Sequence, residues 1–328
     1  MVAVLTATAE PLVVTADNFN RAESVMYFAA TVARAGGIGK FSHRRVVTPI
    51  HDQGVIHANR DTLCSAGVFD LDAGPVTVTL PDPGGRYMSL IVIDEDQYAV
   101  TTYAPGTFTY TKEQTGTRYV LLGIRTFIDL NDPQDPAKVH ALQDAVTIRQ
   151  KHPGTFEAVN WDPVTHKQVR DALIVLAGNI SDTRRMFGPR YTVDPVRHLI
   201  GSATSWGGNA ETDATCFTVA PTRNDGQTVH RLTVPGAVPV DGFWSISVYG
   251  ADGYFHRNNR DAYSLNSLSA AKDADGSVTI QFGGCDVKTA NCLPITPGWN
   301  YCVRLYRPRT EILNGRWVFP EARPVSDR

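Results

Sequence analysis

The densest group of chemically active side chains lies in a polar segment, residues 51–65, which holds two histidines, two aspartates, an arginine and an asparagine. A histidine can abstract a proton near neutral pH, a carboxylate can orient the imidazole, and a guanidinium can bind an anionic group. We therefore predict that His57 acts as a general base, that Asp61 orients it, and that Arg60 binds an anionic part of a substrate.

Four further residues are candidate substrate contacts: His51 and Asn59 of the polar segment, Trp206, and Arg260. Trp206 is followed by two glycines, so a ligand can approach the backbone there and stack on the indole. Arg260 lies in an Asn-Arg-Asp tripeptide that the polar segment also contains. Because short matches recur by chance, turn chemistry is the simpler interpretation of this repetition.

The polar segment also has a purely structural interpretation. Asn, Asp and Thr bond readily to neighbouring backbone groups, and an Arg–Asp pair can fix a loop to a sheet. Trp206 can likewise be a buried packing residue. The sequence has no Gly-x-Ser-x-Gly, no glycine loop ending in Gly-Lys-Ser/Thr and no His-Glu-x-x-His. Both interpretations of the segment therefore remain open.

Three hypotheses of function follow from these residues. The first is an enzyme that acts on a small polar or sugar-like molecule by hydrolysis or elimination, without metal or other cofactor, in a cleft lined by the polar segment and Trp206. The second is a non-catalytic module that binds a carbohydrate or other ligand, or an assembly protein, which requires exposed aromatic rings on a sheet face. The third is a metal enzyme that uses His51, His57 and a distant carboxylate.

Composition and charge narrow the range of partners. The 328 residues are 42% hydrophobic and 20% charged, enough for one large core or two ordinary ones. The net charge of −2 gives no reason to expect nucleic acid or an anionic membrane as a partner. No apolar run approaches the roughly 20 residues that span a bilayer, and residues 2–14 lack the basic start of a signal peptide. We expect a soluble, cytoplasmic protein with a small-molecule or glycan substrate, and homo-oligomer formation stays open.

The five cysteines do not form a disulfide framework in a chain of this length. Cys64, Cys216 and Cys302 lie in strand-like surroundings, which favours small apolar packing residues. Cys285 and Cys292 bracket a short loop and either form a structural disulfide or remain free thiols. Zinc is disfavoured because no further Cys or His lies at metal-ligand spacing.

The pattern along the chain predicts a helix, a β block, further helices and a second β block. Apolar residues at helical spacing cover residues 18–35, and two glycines follow. Short β-branched and aromatic runs fill residues 61–127 and return from residue 216 onward. Between the blocks, helices are predicted at 137–150, 163–176 and 193–199.

Strands collected in runs argue for sandwiches over a doubly wound parallel sheet. The predicted fold is mainly β with helical connections, built as two β-sandwich (jelly-roll-like) domains. The predicted boundaries are 1–40 for an N-terminal helical segment, 41–130 for the first sandwich, 131–212 for a helical connection and 213–328 for the second sandwich.

The two β blocks share a stretch that aligns without gaps, residues 87–98 against 243–254. Ser89 matches Ser245, and each stretch reads as a strand, a turn carrying Asp and an aromatic that starts the return strand. Either any two hairpins look this similar, or the chain contains two related sandwiches.

Several motifs occur in order along the two β blocks. The first block contains Asn-Arg-Asp-Thr-Leu-Cys-Ser (59–65), Leu-Pro-Asp-Pro-Gly-Gly-Arg-Tyr (80–87) and Gly-Thr-Arg-Tyr-Val (116–120). The corresponding motifs of the second block lie in residues 241–245, 259–264, 275–277, 291–294 and 299–308. By these motifs the first block resembles the domain of unknown function 1254, and the second resembles its partner domain, number 1214.

The resemblance implies β-sandwich domains with helical connections and implies no reaction. The family has a tyrosine where this chain has Cys64, so a role carried by that hydroxyl does not transfer here.

Overall fold

The structure is a computed structural model that describes residues 10–53, 56–180 and 182–325. Residues 2–9 of the weakly apolar start, and residues 54–55 of the polar segment, lie outside the described residues. The chain forms two β domains joined by helices, which confirms the predicted mainly β fold with helical connections.

The first β domain consists of two antiparallel sheets that enclose one apolar core. Its strands are β1 (Phe41–His43), β2 (Thr62–Asp70), β3 (Val76–Leu80), β4 (Met88–Asp94), β5 (Ala99–Thr102), β6 (Gly106–Tyr110), β7 (Tyr119–Phe127) and β8 (Thr147–Arg149). One sheet has the order β1-β2-β7-β4-β5 and the other β6-β3-β8. Strict alternation in β3 directs Val76, Val78 and Leu80 into the core between them.

The second β domain has two four-stranded sheets around a larger, aromatic-rich core. Its strands are β9 (Ala214–Val219), β10 (His230–Val234), β11 (Trp244–Tyr249), β12 (Ser264–Asn266), β13 (Val278–Phe282), β14 (Cys292–Leu293), β15 (Asn300–Tyr306) and β16 (Arg323–Pro324). The orders are β12-β11-β15-β9 and β14-β13-β10-β16. Trp299 and Phe282 are fully buried between the sheets and stack on each other.

Within the described residues, six helices cover the sheets and connect the domains. They are α1 (Phe19–Ala35), α2 (Lys112–Thr115), α3 (Asp135–Ala145), α4 (Pro163–Ala177), α5 (Pro195–Ser205) and α6 (Thr310–Leu313), with a 3-10 turn at Leu71–Ala73. The Asp162 side chain accepts two backbone N–H bonds at the start of α4. In α1, Phe28 packs on Val68 and Ile91, on the face of the five-stranded sheet that points away from the core.

The structure corrects the helix predicted at residues 137–150. Helix α3 ends at Ala145, and the next residues form strand β8, which pairs with β3. The β-branched Thr147 and Ile148 gain more from this pairing than from another helical turn. The first β domain therefore draws a strand from beyond residue 130, where its predicted boundary lay.

Within the described residues, the structure contains no helix that is both long enough and apolar enough to cross a membrane. The jelly-roll character expected of the two domains stays a prediction.

Candidate functional site

The polar segment lies across the second β domain, although it leads into a strand of the first. The His57 N–H donates to Gly253 O at 2.8 Å, and the Tyr249 hydroxyl donates to Ala58 O at 2.7 Å. The Arg304 guanidinium donates from Nη2 to His57 O at 2.6 Å. The segment therefore holds the two domains together.

His57 and Asp61 have separate partners. His57 Nε2 lies 3.2 Å from Asn300 Oδ1, and burial lowers the pKa of the imidazole despite the opposing effect of Asn300. Ser245 Oγ donates to Asp61 Oδ2 at 2.6 Å, and burial raises the pKa of this carboxyl group. No hydrogen bond or ion pair between described residues joins His57 to Asp61, so the orienting contact predicted for Asp61 is not made.

Arg60 turns away from Asp61. Its Nη1 donates to Thr48 O, and its guanidinium lies 5.3 Å from the ring centroid of Tyr263 and 5.9 Å from that of Phe255. A carbonyl group and two aromatic faces are thus its neighbours. This arrangement fixes a loop and does not aim the guanidinium at the other predicted site residues.

Asn59 bridges the two domains in the same way as its neighbours, since its side-chain amide donates to the Tyr306 hydroxyl. His51 is exposed to solvent. The structure therefore brings His57, Asn59 and Asp61 together along the second domain and does not add His51 to that group.

Trp206 and Arg260 are held by contacts outside the polar segment. Trp206 Nε1 donates to Ser24 Oγ at 3.1 Å, and the indole stacks on Tyr27 with 4.4 Å between ring centroids. Arg260 Nη1 donates to Asp286 O in the loop between the two paired cysteines. Packing explains Trp206 and turn chemistry explains Arg260, so the predicted convergence on one cavity does not occur.

The two β domains instead present a repeated row of side chains. In the first, Cys64 of β2 lies opposite Arg125 of β7, and Arg125 lies opposite Ser89 of β4. In the second, Cys216 of β9 lies opposite Arg304 of β15, and Arg304 lies opposite Ser245 of β11. Each domain thus carries a Cys–Arg–Ser row across three hydrogen-bonded strands, which supports the view that the sandwiches are related.

An aspartate occupies the same position relative to each row. Asp61 lies three residues before Cys64, and its carbonyl accepts from the Ile128 N–H at 2.9 Å. Asp213 lies three residues before its own cysteine, and its carbonyl accepts from the Arg307 N–H at 2.8 Å. The sequences Asp-Thr-Leu-Cys and Asp-Ala-Thr-Cys are therefore structural equivalents.

The two rows lie close to each other at the domain boundary. Cys64 and Cys216 are both exposed although they lie inside strands, which corrects their interpretation as apolar packing residues. Both thiols interact electrostatically with Arg125, so they lie near the same guanidinium. We call the space bounded by the two rows the cleft.

The two row arginines are satisfied to different degrees. Arg304 is 8% exposed and donates to Ser247 Oγ at 3.1 Å, to the Tyr249 hydroxyl at 2.9 Å and to the His57 carbonyl. Arg125 is half-buried, and its side chain makes one hydrogen bond to a described residue, a long one of 3.4 Å from Nη2 to Gly207 O. No ion pair joins Arg125 to any carboxylate in the part of the chain that the structure describes.

A tyrosine and an aspartate meet across the domain boundary at one edge of the cleft. The Tyr103 hydroxyl donates to Asp213 Oδ1 at 3.0 Å. Burial raises the pKa of Asp213, and the hydrogen bonds from Tyr103 and Thr101 and the charge of Arg307 only partly offset it. Burial is the largest cause of the raised pKa of Tyr103, and Tyr87 and Asp213 raise it further. Both side chains are half-buried, so solvent reaches them.

Sequence reasoning missed Arg125, Tyr103 and Asp213. The signal available was the Asp-x-x-Cys spacing, which occurs at Asp61 and again at Asp213. A single arginine inside a strand gives no comparable signal, because its cross-strand neighbours appear only in the folded sheet.

Cys285 and Cys292 form a disulfide bond, one of the two alternatives that the sequence left open. Among the described residues, no group of three or more His, Cys, Asp or Glu side chains could hold a metal ion. Two depressions of about 260 and 250 Å³ are lined by residues of the second domain, and neither row arginine is among those residues. Both are smaller than the usual volume of a small-molecule pocket, about 300 Å³ or more.

Family models match both β domains. A model described as a protein of unknown function (DUF1254) matches residues 38–123, and one described as a protein of unknown function (DUF1214) matches residues 218–310. No curated protein matches the chain.

Two solved structures are similar over most of the chain. The VPA0106 protein from Vibrio parahaemolyticus is 18% identical with a TM-score of 0.72, and the match covers 95% of this chain and 98% of that one. An uncharacterised protein from Burkholderia cenocepacia is 15% identical with a TM-score of 0.49, covering 94% of this chain and 88% of that one. The first likeness shows a shared fold and carries no activity with it.

Proposed function

This chain belongs to the proteins that join a DUF1254 domain to a DUF1214 domain, and because this family specifies no reaction, we propose a function from the residues that border the cleft. The protein is an enzyme that acts on a small polar or sugar-like molecule by hydrolysis or elimination. Asp213 accepts the proton that the reaction releases, and Tyr103 holds its carboxylate in place.

The observation that carries this proposal is the 3.0 Å hydrogen bond between Tyr103 and Asp213 in a solvent-accessible cleft. A carboxyl group whose pKa burial raises is a stronger base than an ordinary aspartate when it is ionised. The raised pKa of Tyr103 keeps its phenol protonated, so it remains a hydrogen-bond donor. The pair supplies a base and the group that orients it, the two roles first assigned to His57 and Asp61.

The polar segment has a positioning role in this proposal. His57, Asn59 and Asp61 each contact the second domain, so together they fix the distance between the two rows. A substitution there would act on the reaction through the geometry of the cleft.

The alternative, a glycan-binding module, needs aromatic rings exposed on a sheet face. Among the described residues, the large exposed hydrophobic side chains are aliphatic except Tyr191, which is 89% exposed and lies between α4 and α5. The accessible groups of the cleft are polar and titratable, which favours chemistry over stacking. Homo-oligomer formation and a cytoplasmic location stay predictions.

Turnover of a panel of candidate substrates tests the proposal. Wild-type protein, Asp213→Asn and Tyr103→Phe are each incubated with sugar acids, hydroxy acids, glycosides and small esters, and consumption is followed by mass spectrometry. We expect wild type to consume at least one compound, Asp213→Asn to be about 10²–10⁴-fold slower, and Tyr103→Phe to lose less, because it removes an orienting bond and not the base.

The matched control is Tyr191→Phe, which removes an exposed phenol outside the cleft and should turn over at the wild-type rate. A folded Asp213→Asn protein that consumes the same compound at the wild-type rate would refute the assignment of the base. No consumption of any compound by wild type would favour the binding module.

A further inference from the structure

We propose that Arg125 forms a subsite for a singly charged carboxylate, so that the substrate of the proposed enzyme is a small monocarboxylate such as a sugar acid or a hydroxy acid. This deepens the proposed function, because it assigns a substrate class to the same cleft. The subsite itself depends on Arg125 and its surroundings and does not require that Asp213 be the base.

The first argument is the missing counter-charge. Two other partly buried arginines are neutralised by aspartates: Arg86 donates to both oxygens of Asp135, and Arg118 donates to both oxygens of Asp70. Among the described residues, the Arg125 guanidinium has only its long bond to a carbonyl group. A desolvated cation without an anion costs free energy, and an anionic ligand would remove that cost.

The second argument is that the guanidinium stays charged and reachable. Burial by itself would lower the pKa of Arg125, but Cys64, Tyr306 and Tyr87 raise it and the net shift is upward. Cys64, directly opposite Arg125, is an exposed residue, so solvent reaches the space beside the guanidinium. A small ligand can therefore enter by the same route.

The third argument concerns the charge of the ligand. A guanidinium presents parallel N–H donors that match the two oxygens of a carboxylate. The donors of Arg304, the other row arginine, are hydrogen-bonded to Ser247, Tyr249 and the His57 carbonyl, so this residue adds little to anion binding. Arg307 lies over the Tyr103 ring, and its charge acts on Asp213, so Arg125 supplies the positive charge that remains. One such charge suits one negative charge better than the two of a phosphate monoester.

The cysteines that border the cleft provide the test. Wild-type protein, with its disulfide intact, is alkylated with iodoacetate, which carries a carboxylate, and in parallel with iodoacetamide, its neutral analogue. Peptide mass spectrometry gives the rates at Cys64 and Cys216. At Cys64 we expect the iodoacetate-to-iodoacetamide rate ratio to be about tenfold above the ratio for glutathione, since bound carboxylate brings the reagent to the thiol.

Variants at Arg125 identify the source of this preference. Arg125→Met should return the ratio at Cys64 to within about twofold of glutathione, and Arg125→Lys should keep part of it because the charge remains. Arg231→Met, which removes an exposed arginine on strand β10, is the matched control and should behave like wild type. A wild-type ratio equal to that of glutathione, or an unchanged ratio in folded Arg125→Met, overturns the proposal.

Competition on the wild-type protein gives an answer even where a variant fails to fold. Propionate should slow the alkylation of Cys64 by iodoacetamide, and propionamide should not. Equal protection by the two, or none by propionate, overturns the proposal. Stronger protection by inorganic phosphate than by propionate overturns the choice of a carboxylate.

The two proposals can fail separately. Tyr103→Phe should keep the iodoacetate preference while it slows turnover. If turnover does not depend on Asp213 but the preference depends on Arg125, the subsite stands and the acid–base assignment fails. If turnover depends on Asp213 and the preference is absent, the substrate is not bound through Arg125.

Discussion

The two Cys–Arg–Ser rows use the same residue types and differ in what covers them. The polar segment lies over the row of the second domain, and Arg304 donates three hydrogen bonds to groups of that segment and its own sheet. In the first domain, the Arg125 side chain makes one hydrogen bond to a described residue, a long one to the turn at Gly207. One row arginine is thus part of the contact between the domains, and the other leaves most of its donors without a partner among the described residues.

The aspartates of the two rows differ in the same sense. Asp61 is 1% exposed and is bonded to Ser245 of the other domain, whereas Asp213 is half-buried and is bonded to Tyr103. The equivalent positions of the two rows thus show which polar groups are used in contacts between the domains. Removal of the buried arginine, Arg304, should cost stability, whereas removal of Arg125 or Asp213 should cost binding or turnover.

The largest effect on stability is expected at Arg304, the buried arginine of the second row. Arg304→Met leaves the Ser247 hydroxyl, the Tyr249 hydroxyl and the His57 carbonyl without their buried partner, and should lower the free energy of unfolding by about 3–5 kcal/mol. Urea unfolding measures this loss. Arg231→Met is again the control, and a loss below about 1 kcal/mol for Arg304→Met would contradict the assigned role.

The second effect is pH-dependent and concerns Asp61. Burial holds its folded pKa above the unfolded value, so the folded state binds the proton more tightly and this group's contribution to stability falls as pH rises above that unfolded value. Asp61→Asn should therefore be about 1 kcal/mol more stable than wild type at pH 8 and gain less at pH 5. Unfolding at both pH values checks this, and a variant less stable at pH 8 would mean that an ionised Asp61 supports Arg304.

The third effect, on the free energy of unfolding of an Arg125 variant, is expected to be small. Arg125→Met removes a guanidinium that has no ion pair with any described residue, so the free energy of unfolding should change by less than about 1 kcal/mol. The same urea experiment measures it beside Arg304→Met. Equal losses in the two variants would remove the distinction between the rows.

The smallest effect is a shift in the titration of a thiol. The Cys302 thiol lowers the pKa of Cys216 to about 6 against the opposing effect of burial, and Arg304 and Arg125 lower it further. Alkylation of Cys216 by iodoacetamide should therefore rise with pH to half its maximum near pH 6. Arg125→Met should move that midpoint upward by about 0.3 units, and Cys302→Ala, which removes the thiol donor, should move it further. A midpoint near pH 8.5 in wild type would contradict this environment.

Local signals in the sequence predicted most of the secondary structure. The spacing of apolar residues predicted α1, and the Asp162-Pro163 pair predicted the start of α4. The error at residues 147–149 has a physical cause: those residues form a strand because β3 offers an open edge, and this edge exists only in the folded domain.

The candidate site was less predictable for the same reason. The sequence identified the polar segment as unusual. Its donors and acceptors, however, bond to the second β domain, far along the chain, as in the hydrogen bond from Tyr249 to Ala58, which are 191 residues apart. Arg125 became visible only through its pairing with Cys64 and Ser89. Long-range pairing decides which polar groups remain free, and local patterns do not contain it.

The Cys285–Cys292 bond relates the fold to the redox state of its surroundings. A disulfide persists in oxidising compartments and is reduced by the thiol systems of the cytosol, so this bond and the expected cytoplasmic location favour opposite compartments. Arg260 donates to the carbonyls of Asp286 and Thr289 between the two cysteines, which would retain part of the loop after reduction. The oxidation state of this one ring in protein taken directly from cells would therefore report where the chain resides.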